Sequence, residues 1–143
     1  MDAAADRLML SIPSNPHYLC TIRAFFTELL HQLGFDEQGV NGVVLAVHEA
    51  CANVIEHCYR GDTAQRIDLT VHVRPESLTV DIRDYGGPQK ISAIRPRALQ
   101  DVRPGGLGTY FMQALMDDVT YHASDPGTLL RMTKRRSVSC KSP

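Results

Sequence analysis

The chain has 143 residues, of which 43% are hydrophobic and 22% are charged. This size and composition fit one compact domain with a single core. The formal net charge of −1 gives no global field that would attract nucleic acid or an anionic membrane. No stretch approaches the ~20 apolar residues of a membrane span, and acids stand near the N-terminus where a secretory signal carries bases. We therefore expect a cytoplasmic protein that binds neither a membrane nor nucleic acid directly.

The cysteines and histidines show no spacing typical of a metal site, and the one basic cluster is short. The four cysteines include no C-x-x-C pair, and the six histidines are scattered without ligand spacing. Cys51 and Cys58 lie in an apolar helical pattern, and we interpret the cysteines as core thiols. The basic run Lys134-Arg135-Arg136 is either a solvated strand end or a local docking patch.

The N-terminal third predicts a strand and two helices. Apolar residues alternate over positions 8–12, which predicts a strand that ends at the proline-bounded segment 13–16. Apolar residues then recur at steps of three and four over 19–33, which predicts a helix stopped by Gly34. After a loop over 35–39, a second apolar stripe over 40–58 predicts a longer helix.

The second helix is expected to end near Arg60-Gly61-Asp62, before a hairpin. Residues 67–73 and 78–82 each alternate strictly between apolar and polar, and Pro75-Glu76-Ser77 joins them. Strands that bury one face only are typical of antiparallel sheets. Helices must therefore cover the buried face of this sheet.

The C-terminal half begins with an irregular stretch over 86–106, of the kind that often forms lids or binding loops. Helical spacing returns over 110–119. Two strands, 119–123 and 129–134, then flank a turn at 124–127. The predicted order is strand, helix, helix, hairpin, loop, helix, hairpin.

Glu49 and Asn53 are a polar pair on the second predicted helix. Their spacing of four residues places both side chains on one face, opposite the valine stripe. Periodicity alone would make this the solvated side. However, Ala46, Ala50 and Ala52 surround the pair with small side chains and leave room for a ligand, so both interpretations remain open from this pattern.

The segment Asp84-Tyr85-Gly86-Gly87-Pro88 directly follows a predicted strand. A carboxylate at a strand end can accept a hydrogen bond from an exocyclic amine, and adjacent glycines let the backbone approach a ring closely. A turn with a polar first residue is the alternative interpretation.

Glycines recur just before the last predicted helix, in Arg103-Pro104-Gly105-Gly106-Leu107-Gly108-Thr109. Exposed backbone N–H groups and the partial positive charge of a helix N-terminus favour a bound phosphate. A flexible linker before a helix is the alternative. The spacing is not that of a P-loop. It also differs from the dinucleotide-binding pattern, because the sheet is predicted to be antiparallel and no strand leads straight into the glycines.

The order of the three motifs is more specific than any one of them. Glu-x-x-x-Asn on a helix, Asp-x-Gly after a strand and Gly-Gly-x-Gly before a helix resembles the GHKL (Bergerat-fold) ATPases. Within that superfamily, segments 49–59 and 105–121 look like the anti-sigma-factor serine kinases of the RsbW type. The likeness spans about residues 6–136, so we expect one GHKL kinase domain there and a frayed tail over 137–143.

The resemblance implies a fold and a role for each motif. The fold would be α+β, a two-layer α/β sandwich with helices packed on one face of a mixed, mostly antiparallel sheet. Glu49 would be the general base that draws the proton from a partner's serine as it attacks the γ-phosphate of ATP. Asn53 would hold Mg²⁺. Asp84 would recognise the adenine amino group, with Gly86 and Gly87 close to the ring.

The same resemblance places the phosphates in the glycine-rich segment, beneath a lid formed by residues 88–104. The phosphate-binding residues would be Gly105, Gly106, Leu107, Gly108 and Thr109. Thr109 either touches a phosphate or caps the helix. The wider superfamily favours Asp-x-Gly-x-Gly, whereas Pro88 occupies the last position here, which removes an N–H and fixes φ. A proline at this position is also similar to the sequence pattern of the switch kinases.

An ATP-dependent protein serine kinase is the leading functional hypothesis. The resemblance implies an anti-anti-sigma protein with a STAS domain as substrate, a sigma factor as second partner, and a homodimer formed through the first strand and the helix containing Phe25 and Phe26. A nucleotide-dependent binding module without kinase activity is the alternative, and the retained Glu49 argues against it. A histidine kinase would need an upstream helical hairpin before residue 6, and a gyrase-like ATPase would need further domains.

Overall fold

The computed structural model describes residues 6–86 and 112–136. The predictions for Gly87, the lid, the glycine-rich segment and the tail lie outside these residues. In the described part of the chain, a five-stranded sheet packs against two long helices. The expected α+β fold is confirmed. No helix within these two ranges is long and apolar enough to cross a membrane.

The sheet places its two hairpins side by side, in the order β1-β2-β3-β5-β4 with every pairing antiparallel. Six apolar side chains of β2 and β3 face the helices and are at most 1% exposed, namely Ile67, Leu69, Val71, Leu78, Val80 and Ile82. This burial follows from the period-two pattern of the sequence. The strands are β1 (Asp6–Pro13), β2 (Arg66–Val73), β3 (Ser77–Asp84), β4 (Asp118–Ala123) and β5 (Thr128–Arg135).

Helix α1 (Leu19–Gln32) follows a short 3₁₀ turn and ends where the sequence predicts. Gly34 has a φ of 83°, a conformation that favours glycine and stops the helix. Helix α2 (Glu37–Asn53) begins earlier than predicted, so the loop predicted over 35–39 is wrong. Asp36 caps the helix by accepting a hydrogen bond from the Gly39 N–H at 2.7 Å. The first turn of α2 is polar at Glu37, and apolar periodicity therefore did not reveal it.

The helical segment reaches Cys58 as predicted, but its last turn is a π-helical turn over Val54–Cys58. The Tyr59 N–H donates to the carbonyl five residues back, that of Val54, at 2.9 Å. Arg60 and Gly61 then take positive φ values of 51° and 80°, which end the segment. One turn of apolar spacing cannot distinguish α- from π-helical bonding, so the sequence did not predict this change.

Residues 112–115 form the described part of the third predicted helix, which ends earlier than expected. Val119 lies in β4, because the chain bends after Met116 and the Asp117 N–H bonds to the carbonyl of Thr133 in β5. The Lys134 ammonium donates to the Leu115 carbonyl at 3.0 Å, at the end of the helix. This contact supports the strand-end interpretation of the basic run over a docking patch.

The structure corrects the interpretation of one cysteine and shows how the phenylalanines of α1 are buried. Cys51 is fully buried and Cys58 is half-buried, but Cys20 is exposed and is not a core thiol. Phe26, which lies in the apolar stripe of α1, is fully buried in the core. Phe25, its edge-to-face neighbour, is half-buried. The two adjacent residues differ in burial because successive side chains of a helix point about 100° apart.

The outer face of the sheet carries an ion cluster centred on Asp81 of β3, which is only 7% exposed. The Arg131 guanidinium on β5 donates to both carboxylate oxygens, at 2.7 and 2.9 Å. His72 Nε2 on β2 lies 3.2 Å from Oδ2. Burial acts to raise the pKa of Asp81, but the hydrogen bonds and charges of Arg131 and His72 outweigh it and lower this pKa below its usual value. The cluster therefore links three adjacent strands.

We predict that Arg131→Gln lowers the free energy of unfolding by about 1–2 kcal/mol at pH 7, since it leaves a buried carboxylate with one partner fewer. The folded pKa of Asp81 is lowered, so this stabilisation is present above the unfolded pKa and is lost as pH falls through the folded pKa. Urea unfolding across pH 3–7 measures the difference, which should shrink below about pH 4.

The matched control is Arg135→Gln on the same strand. The Arg135 side chain is 74% exposed, and its guanidinium lies 3.9 Å from the Asp118 carboxylate, at the long end of ion-pair distances. This substitution should change stability by less than about 0.5 kcal/mol. Equal effects of the two substitutions at pH 7 would contradict a stabilising role for the Asp81 cluster.

Candidate nucleotide site

Glu49 and Asn53 lie one turn apart near the end of α2, as their spacing predicts. Both side chains are half-buried, and Ala46 and Ala50 beside them are at most 1% exposed. The pair is thus partly enclosed, and the fully solvated interpretation is wrong. Glu56, on the π-helical turn that follows Asn53, is exposed.

Asp84 is a carboxylate at the end of an apolar row on β3, and it is 3% exposed. Its position on the helix-facing side of the sheet follows from the same alternation that buries Ile82. Burial raises the pKa of Asp84 above its usual value, while hydrogen bonds from Gly86, Cys58 and Thr128 counteract this effect. The Gly86 N–H donates to Oδ1 at 3.0 Å. The site therefore contains a buried acceptor partly satisfied by local donors.

The π-helical turn brings Cys58 against the Asp84-Tyr85-Gly86 segment. A Cβ atom on Gly86 would lie 3.2 Å from the Cys58 carbonyl and 3.3 Å from Asp84 Oδ1, closer than most Cβ contacts. Burial, followed by the charge of Asp84, raises the pKa of the Cys58 thiol to about 12. The thiol therefore stays protonated at neutral pH beside the carboxylate. In this way the end of the helix and the end of β3 meet.

Tyr85 points to the opposite face of the sheet from Asp84. Its ring lies between two guanidinium groups, those of Arg66 at 4.7 Å and Arg83 at 4.9 Å. The Tyr85 hydroxyl donates to the Asp68 carboxylate. On the inner side, the Tyr85 N–H donates to the hydroxyl of Tyr59 at 2.7 Å. The segment is thus held from both faces of the sheet.

Gly127 is a residue of this site that sequence reasoning missed. It has a φ of 86°, and a Cβ atom there would lie 2.1 Å from the Asp84 carbonyl. The hairpin turn between β4 and β5 therefore packs directly against the Asp84 backbone. The sequence identified residues 124–127 as a turn, but only the pairing of β3 with β5 shows what the turn touches.

The structure therefore describes four of the predicted site residues, Glu49, Asn53, Asp84 and Gly86. Asp84 and Gly86 are in direct contact, and the π-helical turn that follows Asn53 joins them to α2 through Cys58. The remaining predicted residues lie outside the described ranges, namely Gly87, Gly105, Gly106, Leu107, Gly108 and Thr109.

The fold and this site define a class of ATPase domain. The family model described as "Histidine kinase-like ATPase domain" matches residues 12–134. A structure of the RsbU and RsbW domains of a Mycobacterium tuberculosis protein superposes with a TM-score of 0.66 at 18% identity, and covers 91% of this chain and 32% of that chain. A blue-light activated histidine kinase of Erythrobacter litoralis gives a TM-score of 0.60 at 18% identity, with 90% and 43% covered. The chain belongs to the histidine kinase-like ATPase domain family, and the expected Bergerat-type fold is confirmed.

Curated relatives narrow the family further. The serine-protein kinase RsbW of Bacillus pumilus is 30% identical, with 94% of this chain and 88% of the relative covered. The serine-protein kinase RsbW of Bacillus subtilis is 28% identical, with 91% and 86% covered. Within its ATPase family the chain is a protein serine kinase of the RsbW type, as the motifs predict.

We predict that Gly86→Ala destabilises the protein by about 1–2 kcal/mol, because the added methyl group must displace either the Cys58 carbonyl or the Asp84 carboxylate. Gly42→Ala is the matched control. A Cβ atom there meets Leu115 at an ordinary 3.5 Å, and the change should be neutral or stabilise α2 by up to about 1 kcal/mol. Urea unfolding and hydrogen exchange of the Tyr85 amide measure both effects. Unchanged Tyr85 protection in Gly86→Ala would contradict the close approach.

Proposed function

We propose that this protein uses ATP and Mg²⁺ to phosphorylate a serine of an anti-anti-sigma partner that carries a STAS domain, and that it acts as an anti-sigma factor in a partner-switching pathway. One observation carries the proposal: the π-helical turn after Asn53 packs Cys58 against the buried Asp84 and against Gly86. The helix with the acid–amide pair and the strand with the buried carboxylate therefore meet at their ends, which supports one site made from both. Membership of the RsbW serine kinases supports the reaction assigned to it.

Asp84 is proposed to recognise the adenine amino group. An ionised carboxylate offers about four acceptor positions. The Gly86 N–H is one donor to it, which leaves capacity for a further donor. An exocyclic amine is a donor of suitable size, and the glycine at position 86 keeps the neighbouring backbone free of a side chain. The chemistry of the site therefore favours a purine that carries an amino group.

Glu49 and Asn53 are proposed to serve the phosphate end of ATP. Oxygen donors from carboxylate and amide groups suit a hard cation, and Mg²⁺ needs few protein ligands because phosphates and waters complete its shell. Asn53 would hold the ion, which neutralises phosphate charge when bound. Glu49, half-buried one turn earlier, would accept the proton of the attacking serine. Gly105, Gly106, Leu107, Gly108 and Thr109 complete the proposal as the phosphate-binding segment.

The proposal also includes a cytoplasmic location, a sigma factor that competes with the STAS-domain partner, and a homodimer. Among the strands of residues 6–86 and 112–136, β1 is an edge of the sheet, and its Met9 is 69% exposed. An apolar side chain on an open strand edge supports contact with a second chain. A nucleotide-dependent binder without kinase activity is not favoured. Such a binder transfers no phosphate, so it would have no use for the general base Glu49 beside the metal-binding residue Asn53.

We predict that Glu49→Gln lowers phosphate transfer from γ-labelled ATP to a STAS-domain protein by a factor on the order of 10²–10⁴, while ATP binding persists. The reason is that the amide keeps the shape of the carboxylate but cannot accept the proton. Asn53→Ala should lose both transfer and Mg²⁺-dependent ATP binding. Transfer and binding are measured by labelling and by calorimetry with candidate STAS-domain proteins.

The matched control for these variants is Glu56→Gln, because Glu56 is exposed on the adjacent π-helical turn. It should retain full transfer. ATP binding without transfer to any candidate would favour the binder without kinase activity. A wild-type protein that fails to bind ATP would contradict the proposed function.

We predict that Asp84→Asn weakens ATP binding on the order of 10²-fold without loss of stability. The folded pKa of Asp84 is raised, because burial disfavours the charged form, so the folded state loses stability as pH rises through that pKa. A neutral amide avoids this cost. Urea unfolding across pH 4–8, together with calorimetry, tests both parts. A variant that is less stable at pH 7 and still binds ATP as tightly would contradict the assignment.

A further inference from the structure

The β2–β3 ladder stops short of the end of β2. Its last paired residues are Asp68 and Arg83, and continued register would bring Arg66 opposite Tyr85. Instead, a side chain joins these two backbones. The Tyr59 hydroxyl accepts a hydrogen bond from the Tyr85 N–H at 2.7 Å and donates to the Arg66 carbonyl at 2.5 Å. The phenol oxygen thus occupies the place of a direct strand-to-strand bond.

The π-helical turn places Tyr59 in this position. Tyr59 is the residue directly after Val54–Cys58, its N–H bonds to the Val54 carbonyl, and its side chain is 7% exposed. A buried hydroxyl needs partners, and the ends of β2 and β3 supply one donor and one acceptor. The same turn presses Cys58 against Gly86. The end of the π-helical turn and the end of β3 are therefore joined by two adjacent residues, Cys58 and Tyr59.

The bridge keeps the end of β3 apart from β2. A direct hydrogen bond from the Tyr85 N–H to the Arg66 carbonyl requires a separation of about 2.9 Å. The hydroxyl bridge holds these two groups farther apart, so they would have to move roughly 1 Å closer to each other. Tyr85 lies between Asp84 and Gly86, and such a movement would displace both. The position of the Asp84 carboxylate thus depends on the Tyr59 hydroxyl.

We infer that Tyr59 is a positioning residue for adenine recognition: its hydroxyl, inserted between Tyr85 and Arg66, ends the ladder and holds Asp84 where a purine amino group binds. The inference rests on the proposed function, in which Asp84 accepts a hydrogen bond from that amino group. Tyr59 itself lies in the core and acts through the backbone of Tyr85. Its hydroxyl therefore sets base specificity and has no part in phosphate chemistry.

The test compares ATP with inosine triphosphate, which carries an oxygen in place of the amino group. Tyr59→Phe keeps the ring packing and removes only the hydroxyl. We expect its ATP affinity to fall about tenfold while its affinity for inosine triphosphate changes little. The KM for ATP should rise, with kcat at saturating ATP unchanged. Tyr18→Phe is the matched control, because Tyr18 is exposed and should leave both affinities unchanged.

A second variant keeps the inference testable if Tyr59→Phe does not fold. Tyr85→Phe removes only the hydroxyl contact with Asp68 on the outer face of the sheet. It should lower the preference for ATP over inosine triphosphate by about threefold, because the same backbone segment is held less firmly.

The outcomes separate the inference from the proposed function. If wild-type protein prefers ATP and Tyr59→Phe keeps that preference, or weakens both nucleotides equally, the positioning role is overturned and the proposed function stands. If wild-type protein binds both nucleotides equally, the adenine role of Asp84 is overturned. If it binds neither, the proposed function fails and the inference fails with it.

Discussion

The burial of the Asp84 carboxylate is the constraint on which the site depends. A charge at 3% exposure is costly unless donors surround it. The Gly86 N–H donates to it at 3.0 Å, and the neighbouring groups come from two further elements: Cys58 ends the π-helical turn, and Thr128 begins β5. The requirement to satisfy one carboxylate therefore fixes how helix, central strand and neighbouring strand meet.

The π-helical turn connects the acid–amide pair of α2 with that carboxylate. Up to Asn53 the helix presents Glu49 and Asn53 on one partly enclosed face. Beyond Asn53 the change of helical phase turns Cys58 toward Gly86 and Tyr59 into the core. A continued α-helix would place these residues on other faces, so the turn is a structural part of the site. Such turns recur at functional sites for this kind of reason.

The outer face of the sheet stabilises the site from the side away from the helices. Asp81 binds Arg131 and His72 across three strands, and Tyr85 lies between two guanidinium groups. These polar contacts hold the strand that carries Asp84 at its end. The central strand is therefore fixed by apolar packing on one face and by paired charges on the other, which suits a site that needs accurate placement.

The sequence by itself determined the strands, the two long helices and the Glu49–Asn53 pair, because apolar periodicity records which face of each element is buried. It also indicated Asp84 and Gly86, since a carboxylate and a glycine after a strand have few other uses. Only the tertiary structure decided the π-helical turn, the Tyr59 bridge and the approach of Gly127 to Asp84. These features depend on atoms from elements far apart in the chain, and local periodicity has no information about such contacts.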